Sequence, residues 1–257
     1  MQQFNTLLSL LKRMPKMLKL YHELAYLWPL LSPPEDYEPE AIAILAVIDT
    51  YLKRPSDQRP VLVEMGAGGG HTLSHLAENF ELLAVDIASP MLINCSMVCP
   101  QATTILGDMR QVDLERAVDV VLIHDAVDYM LTAEDVQQTF ANAAKHLKPG
   151  GLIIVAPTYT TESFENNQSI SDQHEDRQFH VAFTSKVSLV KETPSQFVML
   201  MAFDITENGQ TTRLTDEHRC GLFSERNWLD WITAAGFKVH HVDELDEMPW
   251  HGFVGIK

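Results

Sequence analysis

From Val61 to Ala156 short apolar runs alternate with amphipathic stretches. Val61–Val63, Leu82–Val85, Thr103–Leu106, Val118–Ile123 and Leu152–Ala156 predict five strands, the fourth apolar enough to be buried on both faces. Between them His71–Asn79, Ser89–Val98 and Ala133–Leu147 predict helices, the last closed by Lys148-Pro149-Gly150-Gly151, where glycine permits a left-handed exit. Strands and helices alternating at this spacing predict an α/β fold with a parallel sheet covered on both faces. Residues 1–55 read as helical with a break at Pro33-Pro34. Glu40–Leu52 sets Ile42, Ile44, Leu45, Ile48 and Leu52 at helical spacing, which predicts one buried face. Pro55 to Pro60 reads as a polar linker. After Pro157 the pattern changes. Thr158–Arg177 is polar and predicts a mobile loop. Gln178–Val190, Gln196–Thr206 and Thr211–Phe223 predict three antiparallel strands, with Asn208-Gly209 as a hairpin turn because both residues tolerate positive φ. Ser224 caps a helix that Gly236 ends, and Phe237–Val242 and Gly252–Ile256 predict closing strands. The chain thus divides into 1–55, 56–157, 158–223 and 224–257, with no internal repeat.

Charge narrows the range of partners. A formal net charge of −16 over 257 residues argues against a nucleic-acid backbone, which needs clustered Lys and Arg, and suits a neutral or cationic small molecule. Solubility alone also accounts for such a charge. The cysteines, Cys95, Cys99 and Cys220, are odd in number, too few for a disulfide framework, and suit a reducing cytoplasm. No second pair completes a zinc site with Cys95 and Cys99. His240-His241 with Glu244 diverge on a strand, so no metal is expected. No run is long and apolar enough for stable membrane insertion. Lys12, Arg13, Lys16 and Lys19 lie in a segment broken by Pro15 and lacking a cleavage site, which reads as an opening helix rather than a targeting signal.

The first strand runs into Glu64-Met65-Gly66-Ala67-Gly68-Gly69-Gly70. In a dinucleotide fold G-x-G-x-x-G sets a diphosphate against a helix N-terminus. Counted from Gly66, the third glycine falls at His71, and Glu64 would repel a diphosphate. A phosphate loop fails too, because no Lys-Ser or Lys-Thr follows. The stretch fits E-x-G-x-G-x-G and resembles the first motif of class I S-adenosylmethionine (AdoMet) dependent methyltransferases. Gly107-Asp108-Met109 after the third strand, Ser89-Pro90-Met91-Leu92 after Asp86, and Leu147-Lys148-Pro149-Gly150-Gly151 extend the resemblance over residues 60 to 156. It implies a Rossmann-like sheet, AdoMet as methyl donor and S-adenosylhomocysteine as product. Glu64 would hold the ammonium of the ligand's amino-acid end, with Gly66, Ala67, Gly68 and Gly70 giving close backbone approach. Asp86, flanked by Ile87, would accept the ribose hydroxyls. Asp108 would bond the adenine amine and Met109 line the ring; Met91 either packs on adenine or belongs to the core.

A wider resemblance is to the amino-sugar N-methyltransferases that dimethylate nucleotide-linked sugars. It rests on Asp36-Tyr37, Glu40-Ala41, Gly107-Asp108-Met109-Arg110, Pro157–Phe164, Glu217-His218-Arg219, Leu222-Phe223-Ser224 and Ala234-Ala235-Gly236. It implies a helical N-terminal lid carrying Tyr21 and Tyr37 near the sulfonium, and an antiparallel roof over the site. Where that group tends to carry a histidine after the fourth strand, this chain has Tyr129. Transfer from a sulfonium needs alignment above all, but a protonated amine must still lose its proton. Asp125, at the carboxyl end of the fourth strand, is placed to position an amine; His124 or His218 is placed to accept the proton. His124 also borders the cofactor, or packs in the core. Tyr37, Tyr129 and Arg219 are candidate acceptor-binding residues, although only one of His218 and Arg219 can point inwards. Trp250-His251 would border the pocket or pack. The expectation is a cytoplasmic enzyme methylating a small molecule, with an amine favoured over a hydroxyl or carboxylate. A non-catalytic AdoMet-binding subunit is the reading from another class, and a homodimer would form through the antiparallel strands.

Overall fold

The computed structural model describes residues 18–53, 59–241 and 252–257. Strands β1 (Val61–Met65), β2 (Glu81–Asp86), β3 (Thr103–Leu106), β4 (Val118–His124) and β5 (Leu147–Ala156) form a parallel sheet. Four further strands, β6 (Ser169–Glu175), β7 (Phe179–Leu189), β8 (Gln196–Glu207) and β9 (Gln210–Gly221), form a separate antiparallel sheet. The chain then returns through β10 (Lys238–His241) and β11 (Phe253–Ile256), completing a seven-stranded sheet of order β10-β11-β5-β4-β1-β2-β3. Only β11 runs against the others, pairing antiparallel with both β5 and β10. Strand order reverses direction around β1, so a crevice opens at the carboxyl ends of β1 and β4, where open α/β sheets take ligands.

The two-residue period of the strands sorts their side chains. Val61, Val63, Met65, Leu83, Val85, Val121 and Ile123 face one way and pack against Val136, Phe140, Trp228 and Ile232 of the helices Ala133–His146 and Glu225–Ala234. Leu62, Leu82, Ala84, Val120 and Leu122 face the other way, onto Ile44, Ile48, Leu73, Leu76 and Cys95 of the helices Glu38–Tyr51, His71–Leu76 and Ser89–Val98. The same parity carries Glu64, Asp86 and His124 to that second face. Polar chemistry is therefore set where the strands run out of core.

Several expectations change. Ile42 is 60% exposed; the helix buries Glu40, Ala41, Ile44, Val47 and Ile48 instead, a face rotated by the pull of the crevice on Glu40. Between residues 18 and 37 the chain is not one helix but single turns, Ala25–Leu27, Trp28–Leu31 and Pro34–Tyr37, punctuated by prolines. The helix from His71 ends at Leu76, not Asn79. The loop expected over Thr158–Arg177 contains β6, an edge strand with almost every side chain exposed, so the antiparallel sheet has four strands rather than three. Its hairpin turn is as expected: Asn208 and Gly209 both have positive φ between Glu207 and Gln210. Ser224 caps its helix with a full capping box. The linker at 54–58, Glu244 and Trp250-His251 lie outside the described residues, as does the basic segment before residue 18.

The antiparallel sheet is not a free appendage. Val181, Met201, Phe203 and Ile205 on its inner face pack against Leu20, Leu24 and Leu27, so the first described segment is pinned between sheet and crevice. No helix among the described residues is long and apolar enough to cross a membrane.

Candidate active site

The turn after β1 is tied to β2. Gly66 and Ala67 donate backbone N–H groups to the Val85 carbonyl at 2.7 and 2.9 Å. Gly66 has φ +89°, and a Cβ there would overlap that of Ala126, so the turn is wedged against the segment after β4. The Asp86 carboxylate closes the arrangement. Its Oδ2 accepts from Gly68 N at 2.8 Å and its Oδ1 from Ala88 N at 2.7 Å, leaving lone pairs on both oxygens. Burial raises its pKa against these bonds.

Behind the turn lies a buried acidic cluster. Glu64 is 4% exposed, and its Oε2 has no hydrogen-bond partner among the described residues. Burial, then the neighbouring carboxyls of Glu40, Asp86 and Asp125, push its pKa well up. Glu40 accepts from Thr72 Oγ1 at 3.0 Å and lies 3.1 Å from His124 Nδ1. His71 is buried between Trp28, stacked at 6.2 Å, and Tyr37, edge-on at 5.3 Å. Neither ring nitrogen finds a hydrogen bond among the described residues, and burial lowers its pKa to about 4.

A second group of polar side chains comes from the ends of β4 and β9. At the end of β4, Asp125 takes a positive φ of 42°, a conformation costly for any side-chain-bearing residue. That kink leaves its carboxylate 57% exposed, where Oδ1 accepts from Thr158 Oγ1 at 3.0 Å. Asp128, one turn on, is buried; Thr158 N donates to its Oδ2 at 3.2 Å, while Oδ1 has no partner among the described residues. Burial, with Asp125 adding, raises the Asp128 pKa well above the carboxylate range. Tyr129 hydrogen-bonds Tyr21 (OH···OH 2.9 Å) and His218 (OH···Nδ1 2.7 Å). His218 Nε2 lies 2.8 Å from Asp216 Oδ2.

Residues 63–155, from β1 to β5, match the model of a family described as methyltransferase domain. Relatives span most of the chain. The dTDP-3-amino-3,4,6-trideoxy-alpha-D-glucopyranose N,N-dimethyltransferase of Streptomyces venezuelae is 27% identical over 83% of this chain and 88% of its own length. The dTDP-3-amino-3,6-dideoxy-alpha-D-glucopyranose N,N-dimethyltransferase of Streptomyces fradiae is 24% identical, covering 84% of each chain. The crystal structure of DesVI from Streptomyces venezuelae superposes with a TM-score of 0.77 at 25% identity, over 90% of this chain and 96% of that one.

This chain is an AdoMet-dependent methyltransferase. Its fold is the Rossmann-like class I sheet, also shared with a sugar N-methyltransferase from Streptoalloteichus (TM-score 0.81, 19% identity, 95% of each chain). The methyltransferase's own residues fit the cofactor. Glu64 presents a buried, unsatisfied acceptor suited to an ammonium, and at Gly68, with φ +51°, a Cβ would meet only the Met91 Cε, at 3.6 Å.

The structure brings most of the expected residues together, with four differences. Ile87 is largely exposed beside Asp86. Met91 is buried against Ala25 and Ala88, with its Cε facing Gly68. Asp108 is held by Arg110 (Nη2 to Oδ2 2.6 Å), which lowers its pKa, and Arg110 also grips Asp135; the Asp108 carboxylate is thus already engaged. Met109 stands beside Gly66, while Gly107 N donates to the Asp86 carbonyl at 3.0 Å. Arg219 is exposed on the opposite side of β9 from His218 and is not gathered into the crevice. Tyr37, at the end of the turn Pro34–Tyr37, is bonded to Ser32 at 2.7 Å, with burial pushing its hydroxyl up to about 12. Glu40, His71, Asp128 and Asp216 had no role assigned from sequence. Asp216 carried a usable signal: it lies two positions before His218, and period two puts both on one face.

His71 yields a stability prediction. Its folded pKa of about 4 is below the unfolded value, so between roughly pH 6.5 and 4 the unfolded chain binds the extra proton. Wild-type stability should therefore fall relative to His71→Phe as pH drops through that window, by roughly 1.4 kcal/mol per unit. Urea melts at pH 7 and pH 5 measure this difference; an identical gap at both pH values would contradict it.

Proposed function

We propose that the enzyme methylates the amine nitrogen of a small, amino-sugar-like acceptor in the cytoplasm. The observation that carries this reading is the paired carboxyls at the end of β4. Asp125 is exposed on a strained backbone, and Asp128 is buried behind it with an unfilled oxygen. Such a pair favours a cationic amine over a neutral hydroxyl or an anionic carboxylate. The sugar relatives, whose names specify N,N-dimethylation, support the same acceptor class. The unpaired thiols of Cys95, Cys99 and Cys220 suit a reducing compartment.

In this reading Glu64 and the turn of Gly66, Ala67, Gly68 and Gly70 hold the amino-acid end of AdoMet. Asp86 takes the ribose hydroxyls, and Ile87, Met91, Gly107, Asp108 and Met109 flank the adenine. Tyr21, Tyr37 and His124 border the sulfonium. Residues 1–55 act as lid, 56–157 as the cofactor core, 158–223 as roof, and 224–257 close the sheet. Bound there, AdoMet supplies an electrophilic methyl, which joins the nitrogen lone pair as the carbon–sulfur bonding pair leaves on sulfur. The protein's part is to hold donor and acceptor in line and to take the amine's proton.

A panel of aminodeoxy sugars, their hydroxy counterparts and simple carboxylates, assayed with methyl-labelled AdoMet, tests the reading. Label should enter amines and resist mild base. Label confined to hydroxyls or to base-labile esters would refute it. With an amine acceptor, Asp125→Asn should raise the acceptor KM about tenfold or more and leave AdoMet affinity within about twofold, a loss of the size expected for one charged hydrogen bond.

A further inference from the structure

A hydrogen-bonded file of side chains leads from the acceptor side of the crevice into the antiparallel sheet. Tyr21 and Tyr129 meet at 2.9 Å, Tyr129 and His218 Nδ1 at 2.7 Å, and His218 Nε2 and Asp216 Oδ2 at 2.8 Å. The Asp216 and His218 side chains are both fully buried. Burial alone would push the Asp216 carboxyl upward, but the Leu20 amide (2.9 Å), His218 and the Glu217 amide (3.0 Å) outweigh it and hold the group ionised. An ionised carboxylate only accepts, so Nε2 must carry the imidazole proton. With Nε2 protonated, the neutral form of the ring presents the lone pair of Nδ1 to Tyr129, whose hydroxyl donates to it.

We propose that Asp216 is the positioning residue of a proton relay, fixing His218 as the base that acts on the methyl acceptor through Tyr129. The relay rests on the acceptor reading above in taking the nucleophile to arrive protonated. The acceptor's N–H bond breaks with its electron pair staying on nitrogen. Its proton passes to the Tyr129 oxygen as the Tyr129 proton passes to His218 Nδ1. Tyrosine is regenerated neutral, the imidazolium is held against Asp216, and the proton leaves by the reverse path after the product departs. The position after β4 is thus occupied by a tyrosine that conducts a proton, with the base one hydrogen bond further in. Other ionisable groups facing the file are Asp125 and Asp128 from the turn after β4, Asp86 from β2, and Cys220 from β9. Burial pushes the pKa of both Asp128 and Cys220 well up.

Asp216→Asn keeps the shape and removes the charge. Its kcat near neutral pH should fall roughly 100-fold, the lower range of general-base contributions, with AdoMet affinity and acceptor KM within about twofold of wild type. Without the carboxylate the imidazole is less basic, so the acid limb of the kcat profile should move to lower pH. As pH rises towards the pKa of the acceptor the deficit should shrink, because the nucleophile then arrives deprotonated. A deficit that is the same at every pH, or no deficit in a folded variant, overturns the relay. Should Asp216→Asn fail to bind AdoMet, Tyr129→Phe decides: the same pH-dependent deficit supports the relay, and its absence overturns it. The ratio of variant to wild type is taken on whichever acceptor the wild type methylates, since a hydroxyl also gives up a proton. Failure of the amine reading therefore shows in the wild-type panel, and failure of the relay only in the ratio.

Discussion

Gly66→Val should weaken AdoMet binding by about 30- to 150-fold while leaving the protein folded. Two costs coincide at this position. The backbone sits at φ +89°, a region that β-branched residues avoid at a cost of about 1–3 kcal/mol. The added Cβ also overlaps the Ala126 Cβ and comes within 3.2 Å of Met109 Cε. The methionine can swing away, but the alanine has no rotamer to change, so the turn must move. Moving it breaks the bonds from Gly66 and Ala67 to the Val85 carbonyl and displaces the surface proposed to take the ligand's amino-acid end. A loss of 2–3 kcal/mol corresponds to about 30- to 150-fold in affinity. Calorimetric titration with AdoMet reads it, and circular dichroism confirms the fold. Wild-type affinity in a folded Gly66→Val would show that the turn is not the ligand cradle.

Asp86→Ala should cost a similar factor for another reason. The carboxylate orders the turn through Gly68 N and the next helix through Ala88 N, and its remaining lone pairs are those proposed to take the ribose. Hydrogen bonds to a charged group contribute about 1.5–3 kcal/mol each, so losing the ligand's share with the turn's order should weaken binding about 100-fold. Asp86→Asn keeps one carbonyl oxygen and should fall between wild type and alanine. If alanine and asparagine both bind AdoMet as tightly as wild type, the carboxylate has no part in recognition.

The parallel core was legible because its apolar runs are buried from both sides, and such runs leave no ambiguity of face. The glycine turn was legible for the opposite reason: Glu64 and three positive-φ glycines satisfy no ordinary packing need, and they stand out against it. The misreadings fall where patterns are weak. Strand β6, Ser-Ile-Ser-Asp-Gln-His-Glu, is polar on both faces and exposed, so nothing in its periodicity separates it from a loop. Ile42 fits a helical stripe, yet the crevice draws Glu40 inwards to Thr72 and His124 and turns Ile42 to solvent. Arg219 and His218 could be told apart only once the face of β9 was known. Asp108 is engaged by the neighbouring Arg110, a pairing that no periodic signal announces.

Leu20 and Asp216, joined by one hydrogen bond, stand 196 positions apart. During synthesis the stretch that ends in the glycine turn leaves the ribosome long before β9 exists. A nascent chain can therefore own a finished donor cradle and still lack both the seat of its first segment and the deepest part of its acceptor side. Closing so long a span is slow and comes late. The growing polypeptide is thus expected to acquire its capacity for turnover in one late event, after residue 218 has emerged, rather than by degrees as the sheet lengthens.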